Sequence, residues 1–243
     1  MSLKIEGLTK KYGDREVLKN FSLEIPSGSF TAVVGPSGCG KSTLLRLMAG
    51  LETLTSGKLS YDSNENQDLG FVFQDAQLLT WRTVSENILL PLELKKVSLS
   101  KEAAQSKVQD VLKKVKLENV ADLFPHHLSG GMKMRVSLAR ALISNPKWLF
   151  MDEPFAALDE LTRFDMQDLL KDLWLKEKIT VVFVTHALTE AAYLSERIVM
   201  LSGKNGSISG DEKPPKTNLN GEDFRASTEL NQFVKTLSER LRA

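Results

Sequence analysis

The sequence predicts an α/β protein with a mostly parallel core sheet, an N-terminal antiparallel β-subdomain and an inserted helical subdomain. Short, apolar, β-branched runs at 30–34 and 179–185 alternate with helical stretches, which is typical of parallel strands joined by crossover helices. Residues 2–26 instead read as short strands separated by turns. Between 85 and 144 helix-favouring residues dominate, so we expect a helical subdomain there.

In chain order, the sequence pattern predicts β-structure at 2–34, a helix at 43–49 and a strand at 70–73. After the helical subdomain it predicts a strand at 147–152, a helix near 161–175, a strand at 179–185, and a hairpin from 197–201 and 207–209. Between the first helix and the strand at 70–73 we expect only a polar stretch through Asp68. The predicted organisation is one domain over 1–210, with an α/β core from 1–84 and 145–210 around the helical subdomain at 85–144, followed by a linker and a C-terminal helix in 211–243.

The C-terminal helix carries apolar residues on one face, which are Leu230, Phe233, Val234, Leu237 and Leu241. Docking on the same domain is the simpler interpretation of this face, and a partner-binding helix is the alternative. Residues 211–224 before it are polar and contain Pro214-Pro215, so we expect a linker.

Composition excludes several classes of protein. The 243 residues carry 32 Lys and Arg against 31 Asp and Glu, a net charge of +1, so no global field favours nucleic acid. The single cysteine excludes a disulfide framework within the chain, which fits a reducing compartment. The apolar runs are too short to span a bilayer, so we expect any membrane role to come through a partner.

A phosphate-binding loop (P-loop) follows the strand at 30–34. The pattern G-x-x-x-x-G-K-[ST] is matched by Gly35, Pro36, Ser37, Gly38, Cys39, Gly40, Lys41 and Ser42, and Thr43 continues into the helix. Glycines let several backbone N–H groups point at one anion, and the helix start adds its positive dipole end. We therefore expect Lys41 to bridge the β- and γ-phosphates of ATP and Ser42 to hold Mg²⁺.

Further candidate residues stand where strands end, the edge at which parallel sheets bind ligands. Asp152 is expected to reach Mg²⁺ opposite Ser42, and Glu153 to polarise the attacking water. Gln74 ends the strand at 70–73 and could reach the metal or the water. His186 could bond the γ-phosphate, although a lone histidine is more often structural.

Two further residues are assigned to the nucleotide on local grounds. Tyr12 lies in a turn, and its ring could stack on adenine. Cys39 lies inside the loop, where we expect bound nucleotide to shield its thiol; the alternative is a small residue that merely fits.

A second anion cradle is predicted where Ser129, Gly130 and Gly131 precede a helix. Two phosphate cradles but one metal site indicate that each cradle completes a different nucleotide. That arrangement needs a second copy of the chain, packed head to tail about a two-fold axis. The alternative is a capped helix that follows a Gly-Gly turn.

Together these motifs, with Ala157-Leu158-Asp159, resemble the ATP-binding subunit of ATP-binding-cassette (ABC) transporters over about residues 2–210. The resemblance implies an ATP sandwich dimer, in which the Ser129 cradle of one copy closes on the γ-phosphate held by Lys41 of the other. It also implies Glu153 as the general base, His186 as a γ-phosphate sensor and Asp159 as a link between the two sites.

Residues 74–88 and 151–159 are similar to the nitrate, sulfonate and taurine importer group. This similarity implies transmembrane permease subunits, indirectly an extracytoplasmic solute-binding protein, and a peripheral location on the cytoplasmic side of the inner membrane. Three positions depart from the usual pattern without removing a catalytic group, which are Met134, Ala156 and Ala187. The alternatives are a non-transport ABC ATPase that drives a soluble partner, and a phosphotransferase that uses the P-loop alone.

Overall fold

The computed structural model describes residues 2–62, 69–203, 205–216 and 221–242. Its strands are β1 (Ser2–Tyr12), β2 (Arg15–Pro26), β3 (Phe30–Val34), β4 (Ser56–Tyr61), β5 (Leu69–Val72), β6 (Trp148–Asp152), β7 (Thr180–Val184), β8 (Arg197–Leu201) and β9 (Ile208–Glu212). Its helices are α1 (Lys41–Met48), α2 (Val84–Leu94), α3 (Lys101–Lys114), α4 (Gly130–Leu142), α5 (Glu160–Glu177), α6 (Leu188–Leu194), α7 (Gly221–Ala226) and α8 (Thr228–Arg242).

Two sheets form the frame. The larger sheet has the order β5-β6-β7-β3-β8-β9, and its pairs are parallel except for the terminal pair of β8 and β9. The smaller sheet is antiparallel with the order β2-β1-β4. The predicted fold class, including the closing hairpin of β8 and β9, is confirmed.

Both faces of the larger sheet are buried. Phe30, Ala32 and Val34 of β3 join a cluster shared with the helices of the 85–144 region and with α5 and α6. Val33 joins a second cluster that includes α1 and the antiparallel sheet. Continuous apolar strands therefore have partners on both sides, and the carboxyl ends of β3, β6 and β7 come together at one edge.

Strand β4 and helix α6 were absent from the sequence prediction. Strand β4 lies within the stretch that we expected to be only polar, and it pairs with β1 through Leu3↔Tyr61 and Ile5↔Leu59. Its Gly57 has φ +95°, and a Cβ there would lie 2.5 Å from the carbonyl oxygen of Gly7. Pairing with the distant strand β1, rather than a local sequence signal, therefore determines that these residues form a strand. Helix α6 is short and buried on most sides, so it lacks an amphipathic period.

The C-terminal region packs on its own domain. Leu230 and Leu237 of α8 are buried, and Phe233, Val234 and Leu241 pack partly buried against the same cluster. This confirms the simpler interpretation of the apolar face.

The predicted linker at 211–224 differs from the structure at both ends. Strand β9 continues to Glu212, because Asp211 pairs with Val199 and its Oδ2 lies 2.6 Å from Nη2 of Arg197. Helix α7 already begins at Gly221, and residues 217–220 lie outside the described chain. Among the described residues, no helix combines the length and hydrophobicity that crossing a bilayer requires.

Candidate functional site

The P-loop connects β3 to α1, and its geometry suits the binding of an anion. Gly40 is the N-cap of α1, with φ +102°, and this cap makes no side-chain hydrogen bond. A Cβ at Gly40 would lie 3.0 Å from Cγ1 of Val17, so a larger residue would collide as well as being strained. The first turn of α1 therefore presents its N–H groups to the space above the loop.

Lys41 lies across this loop and is only 5% exposed. Its Nζ donates to the carbonyl oxygens of Gly35 and Pro36, both at 2.9 Å. The ammonium is thus held inside the turn by backbone acceptors. An anion with stronger acceptor oxygens could replace these bonds without moving the charge far.

A cavity of about 460 Å³ opens above the loop, and it is lined by Tyr12, Arg15, Val17, Ser37, Gly38, Gly40, Lys41, Ser42, Thr43 and Glu153. The ring of Tyr12 is exposed at its outer end, and the Tyr12 hydroxyl donates to the carboxylate of Glu52. Desolvation and then this carboxylate raise the pKa of Tyr12, so the hydroxyl stays protonated. Tyr12 therefore lines the cavity, and stacking of its ring on a base stays a prediction.

Oxygen ligands meet at the inner end of the cavity. The hydroxyl of Ser42 donates to Oδ1 of Asp152 at 2.7 Å, although the two residues come from different elements. Asp152 is buried, and Nη2 of Arg46 lies 3.6 Å from its other oxygen. Hydroxyl and carboxylate oxygens are the donors that Mg²⁺ prefers, so these side chains fit the predicted metal.

Glu153 and His186 meet beside these oxygens. Nδ1 of His186 lies 3.1 Å from Oε2 of Glu153, and the Glu153 N–H donates to the carbonyl oxygen of Val184 at 3.0 Å. Glu153 has φ +45°, in the left-handed region that side chains rarely occupy. Such strain costs about 1–3 kcal/mol and is typical of functional residues.

Gln74 lies in the segment that follows β5. It stands two residues after Val72, which pairs with Met151 of β6, and so it lies at the same sheet edge as Glu153. Its side chain is exposed and is not part of the cavity lining.

The second cradle and Asp159 lie outside the cavity. Ser129 caps α4 by accepting from the Met132 N–H at 3.3 Å, and Asp159 caps α5 by accepting from the Thr162 N–H at 3.0 Å. Hydrogen bonds from Thr162 lower the pKa of Asp159, so this carboxylate stays charged. None of these residues lines the space around Lys41.

The two glycines of the second cradle differ in their surroundings. Among the described residues, a Cβ at Gly130 would meet nothing within 4 Å, whereas a Cβ at Gly131 would lie 2.3 Å from Cγ2 of Thr162. Close packing of α4 on α5 therefore explains why a residue without a side chain stands at Gly131. Contacts with the residues that the structure describes do not explain Gly130, which leaves room for the close approach of another molecule.

Substitution of Gly131 by alanine is expected to lower the free energy of unfolding by about 1–3 kcal/mol, because its Cβ overlaps Thr162. Urea unfolding followed by circular dichroism measures this loss. Gly130→Ala in the same turn is the matched control and should cost less than about 0.5 kcal/mol. Adding Thr162→Ser removes the clashing methyl and should recover most of the loss; no recovery would contradict the proposed overlap.

The thiol of Cys39 is buried by the protein itself. The residue is 2% exposed and packs in the cluster that contains α1, and burial raises the pKa of its thiol. Protein atoms already cover the thiol, which favours the alternative of a small residue that fits the loop, and shielding by nucleotide stays a prediction. Cys39 can contribute its backbone N–H to an anion, as the other loop residues do.

Arg15 and Val17 line the cavity but were not found in the sequence. They belong to β2, which carries no motif. The turn at Gly13-Asp14 was a usable signal, since it places Arg15 opposite Tyr12 in the hairpin.

Comparison with known proteins agrees with the nucleotide-binding site described above. The family model described as "ABC transporter" matches residues 18–156, more than half of the chain. An ABC transporter ATP-binding protein of Methanocaldococcus jannaschii is 43% identical over 98% of this chain and 90% of its own length. An aliphatic sulfonates import ATP-binding protein of Mesorhizobium japonicum is 43% identical over 97% of this chain and 87% of its own.

Among solved structures, the dimeric structure of an ATP-binding cassette in a post-hydrolysis state, bound to ADP and Pi, has a TM-score of 0.77 and 36% identity, and the match covers 88% of this chain and 100% of that one. Family match, relatives and P-loop geometry agree. The chain belongs to the ABC transporter family, as one of its ATP-binding proteins, and is an ATPase.

Proposed function

We propose that the chain is the ATP-hydrolysing subunit of an importer for a small solute, and that ATP-driven closure of a dimer of this chain powers transport. The observation that carries the proposal is the convergence of Ser42, Asp152, Glu153 and His186 around the end of the cavity that holds Lys41. Relatives that are named as aliphatic sulfonate importers favour a sulfonate, nitrate or taurine type of solute.

Lys41 and the loop N–H groups bind the phosphates in this mechanism. Lys41 exchanges the carbonyl oxygens of Gly35 and Pro36 for phosphate oxygens. Ser42 and Asp152 would hold Mg²⁺, which would supply neutralisation of the charge that develops on the transferred phosphoryl group. Tyr12 stacks on the adenine at the open end of the cavity.

Glu153 orients the attacking water and accepts its proton. His186 is within hydrogen-bond distance of this carboxylate, so it can hold Glu153 before the substrate arrives and then turn to the γ-phosphate. Gln74, which is exposed here, would reach the metal or the water if its loop moved inward.

Completion of the site requires a second copy. In the closed dimer, Ser129, Gly130 and Gly131 of one chain cover the γ-phosphate that is bound to the other, and Asp159 links the two sites. The open space at Gly130 favours this proposal, since a neighbouring phosphate can approach its backbone closely. The dimeric form of similar cassettes supports it as well.

A permease in the membrane is the proposed recipient of the motion, and a solute-binding protein supplies the solute. The chain would then lie on the cytoplasmic side of the membrane as a peripheral subunit. The proposed contact is the surface at 74–87: the Asn87 amide bonds the carbonyl oxygens of Leu79, Arg82 and Thr83, while Trp81 is 73% exposed. A rigid loop with an exposed aromatic ring is suited to bind the permease and to move with this chain when the dimer closes.

The test combines two measurements. Purified protein should release phosphate from ATP without an added acceptor, whereas a phosphotransferase would release little until its acceptor is supplied. Affinity purification from membranes should recover a polytopic membrane protein that disappears when Trp81→Asp is introduced. Recovery of a ribosome, a DNA complex or another soluble partner would instead support the non-transport ABC ATPase.

A further inference from the structure

A line of side chains connects the Asp159 turn, residues 157–159, with the segment that carries His186. Arg163 of α5 reaches back to the turn, where its Nη2 donates to the carbonyl oxygen of Leu158 at 2.8 Å. Its Nε lies 3.7 Å from Oε1 of Glu190 in α6. One guanidinium therefore faces both the turn and the helix that follows His186.

Glu190 continues the line to the residues on each side of His186. The hydroxyl of Thr185 donates to Oε2 of Glu190 at 2.6 Å. The N–H of Ala187 in turn donates to Oγ1 of Thr185 at 3.0 Å. His186 itself is 62% exposed, so contacts of its neighbours, rather than packing of its ring, hold the segment.

Burial makes the contact between Arg163 and Glu190 sensitive to small movements. Glu190 is 7% exposed, and a buried carboxylate is costly unless a counter-charge and hydrogen bonds compensate it. Within the described part of the chain, the buried Nε of Arg163 has no hydrogen-bond partner. At 3.7 Å it is too far from Glu190 for a hydrogen bond, and a shift of less than 1 Å between α5 and α6 would complete one.

We propose that Arg163 and Glu190 are positioning residues that link the Asp159 turn to His186. Movement of the turn against a second copy would draw Arg163 onto Glu190, and Thr185 would carry this movement to the His186 backbone. Hydrolysis would then be favoured only when the two copies have met. The inference rests on the proposed roles of His186 and of the dimer.

Glu190→Gln and Arg163→Met test the link, because each removes one charge and keeps most of the side-chain volume. Misplacement of His186 should lower the kcat for ATP hydrolysis about 10–100-fold, with KM changed less than about 3-fold. Because the two residues act as a pair, the double variant should be no slower than the slower single variant. Rates are normalised to the folded fraction measured by circular dichroism.

Glu177→Gln is the matched control, since it breaks the 2.9 Å ion pair between Glu177 and Lys114 at the other end of α5. Its kcat should stay within about 2-fold of the wild type. The inference is overturned if the single variants keep wild-type kcat per folded molecule, if only KM changes, or if their effects on kcat multiply.

A parallel assay of Glu153→Gln separates failure of the inference from failure of the proposed function. Loss of activity in Glu153→Gln together with normal Glu190→Gln would reject the link alone. Normal hydrolysis in Glu153→Gln would reject the catalytic assignment on which the link rests.

Discussion

Replacement of Glu153 with glutamine is expected to slow ATP hydrolysis by about 10²–10⁴-fold while ATP still binds. The amide cannot accept the proton of the attacking water, but it has the same shape and keeps an oxygen toward His186. Phosphate release measures the rate, and nucleotide binding at equilibrium measures affinity. We also expect the ATP-bound dimer to persist, because hydrolysis no longer opens it.

Glu118→Gln gives the matched control for this change, since Glu118 is an exposed carboxylate in the segment after α3. Its rate should equal that of the wild type within experimental error. Turnover of Glu153→Gln at the wild-type rate would remove Glu153 from its proposed role. A parallel loss of ATP binding would assign Glu153 to binding instead of proton transfer.

Two inactive variants are expected to restore activity when they share a dimer. Lys41→Ala removes the cation that binds the phosphates, and Ser129→Asp places a negative charge where the γ-phosphate of the other copy is proposed to sit. Aspartate is as good an N-cap as serine, so α4 should remain intact. Each variant alone should have less than about 1% of the wild-type kcat.

A mixed dimer contains one intact pocket, formed by Lys41 of one chain and Ser129 of the other, and one pocket with both changes. Phosphate release should therefore reappear on mixing, in proportion to the mixed dimer quantified by two affinity tags. Ser100→Asp, at the N-cap of α3, controls for the added charge and should leave activity unchanged. Mixed dimers without activity would exclude a pocket shared between copies.

The sequence predicted most of the fold because its strongest signals are local. The strand before the P-loop, the loop itself and the helix after it are contiguous, so periodicity and glycine spacing locate them within a few residues. Strand β4 was missed because its partners lie far away in β1, where Thr9 pairs with Ser56 and Leu3 with Tyr61, and because Ser56, Gly57 and Lys58 have little strand preference.

In the candidate site, too, residues marked by local signals could be predicted, and residues that depend on long-range packing could not. Asp152, Glu153 and His186 could be predicted, since strand ends of a parallel sheet share one edge. The burial of the Cys39 side chain could not be predicted, because the packing around α1 decides it. Arg163 and Glu190 carry no motif, and only the fold brings them together.

The left-handed backbone at Glu153 has a consequence for how this chain can change over time. Glycine or asparagine would relieve that conformation, so under the proposed role of Glu153 these two substitutions would exchange turnover for stability. A screen for heat resistance alone would therefore tend to select inactive chains here. Glutamate at this position therefore costs stability that a glycine would recover.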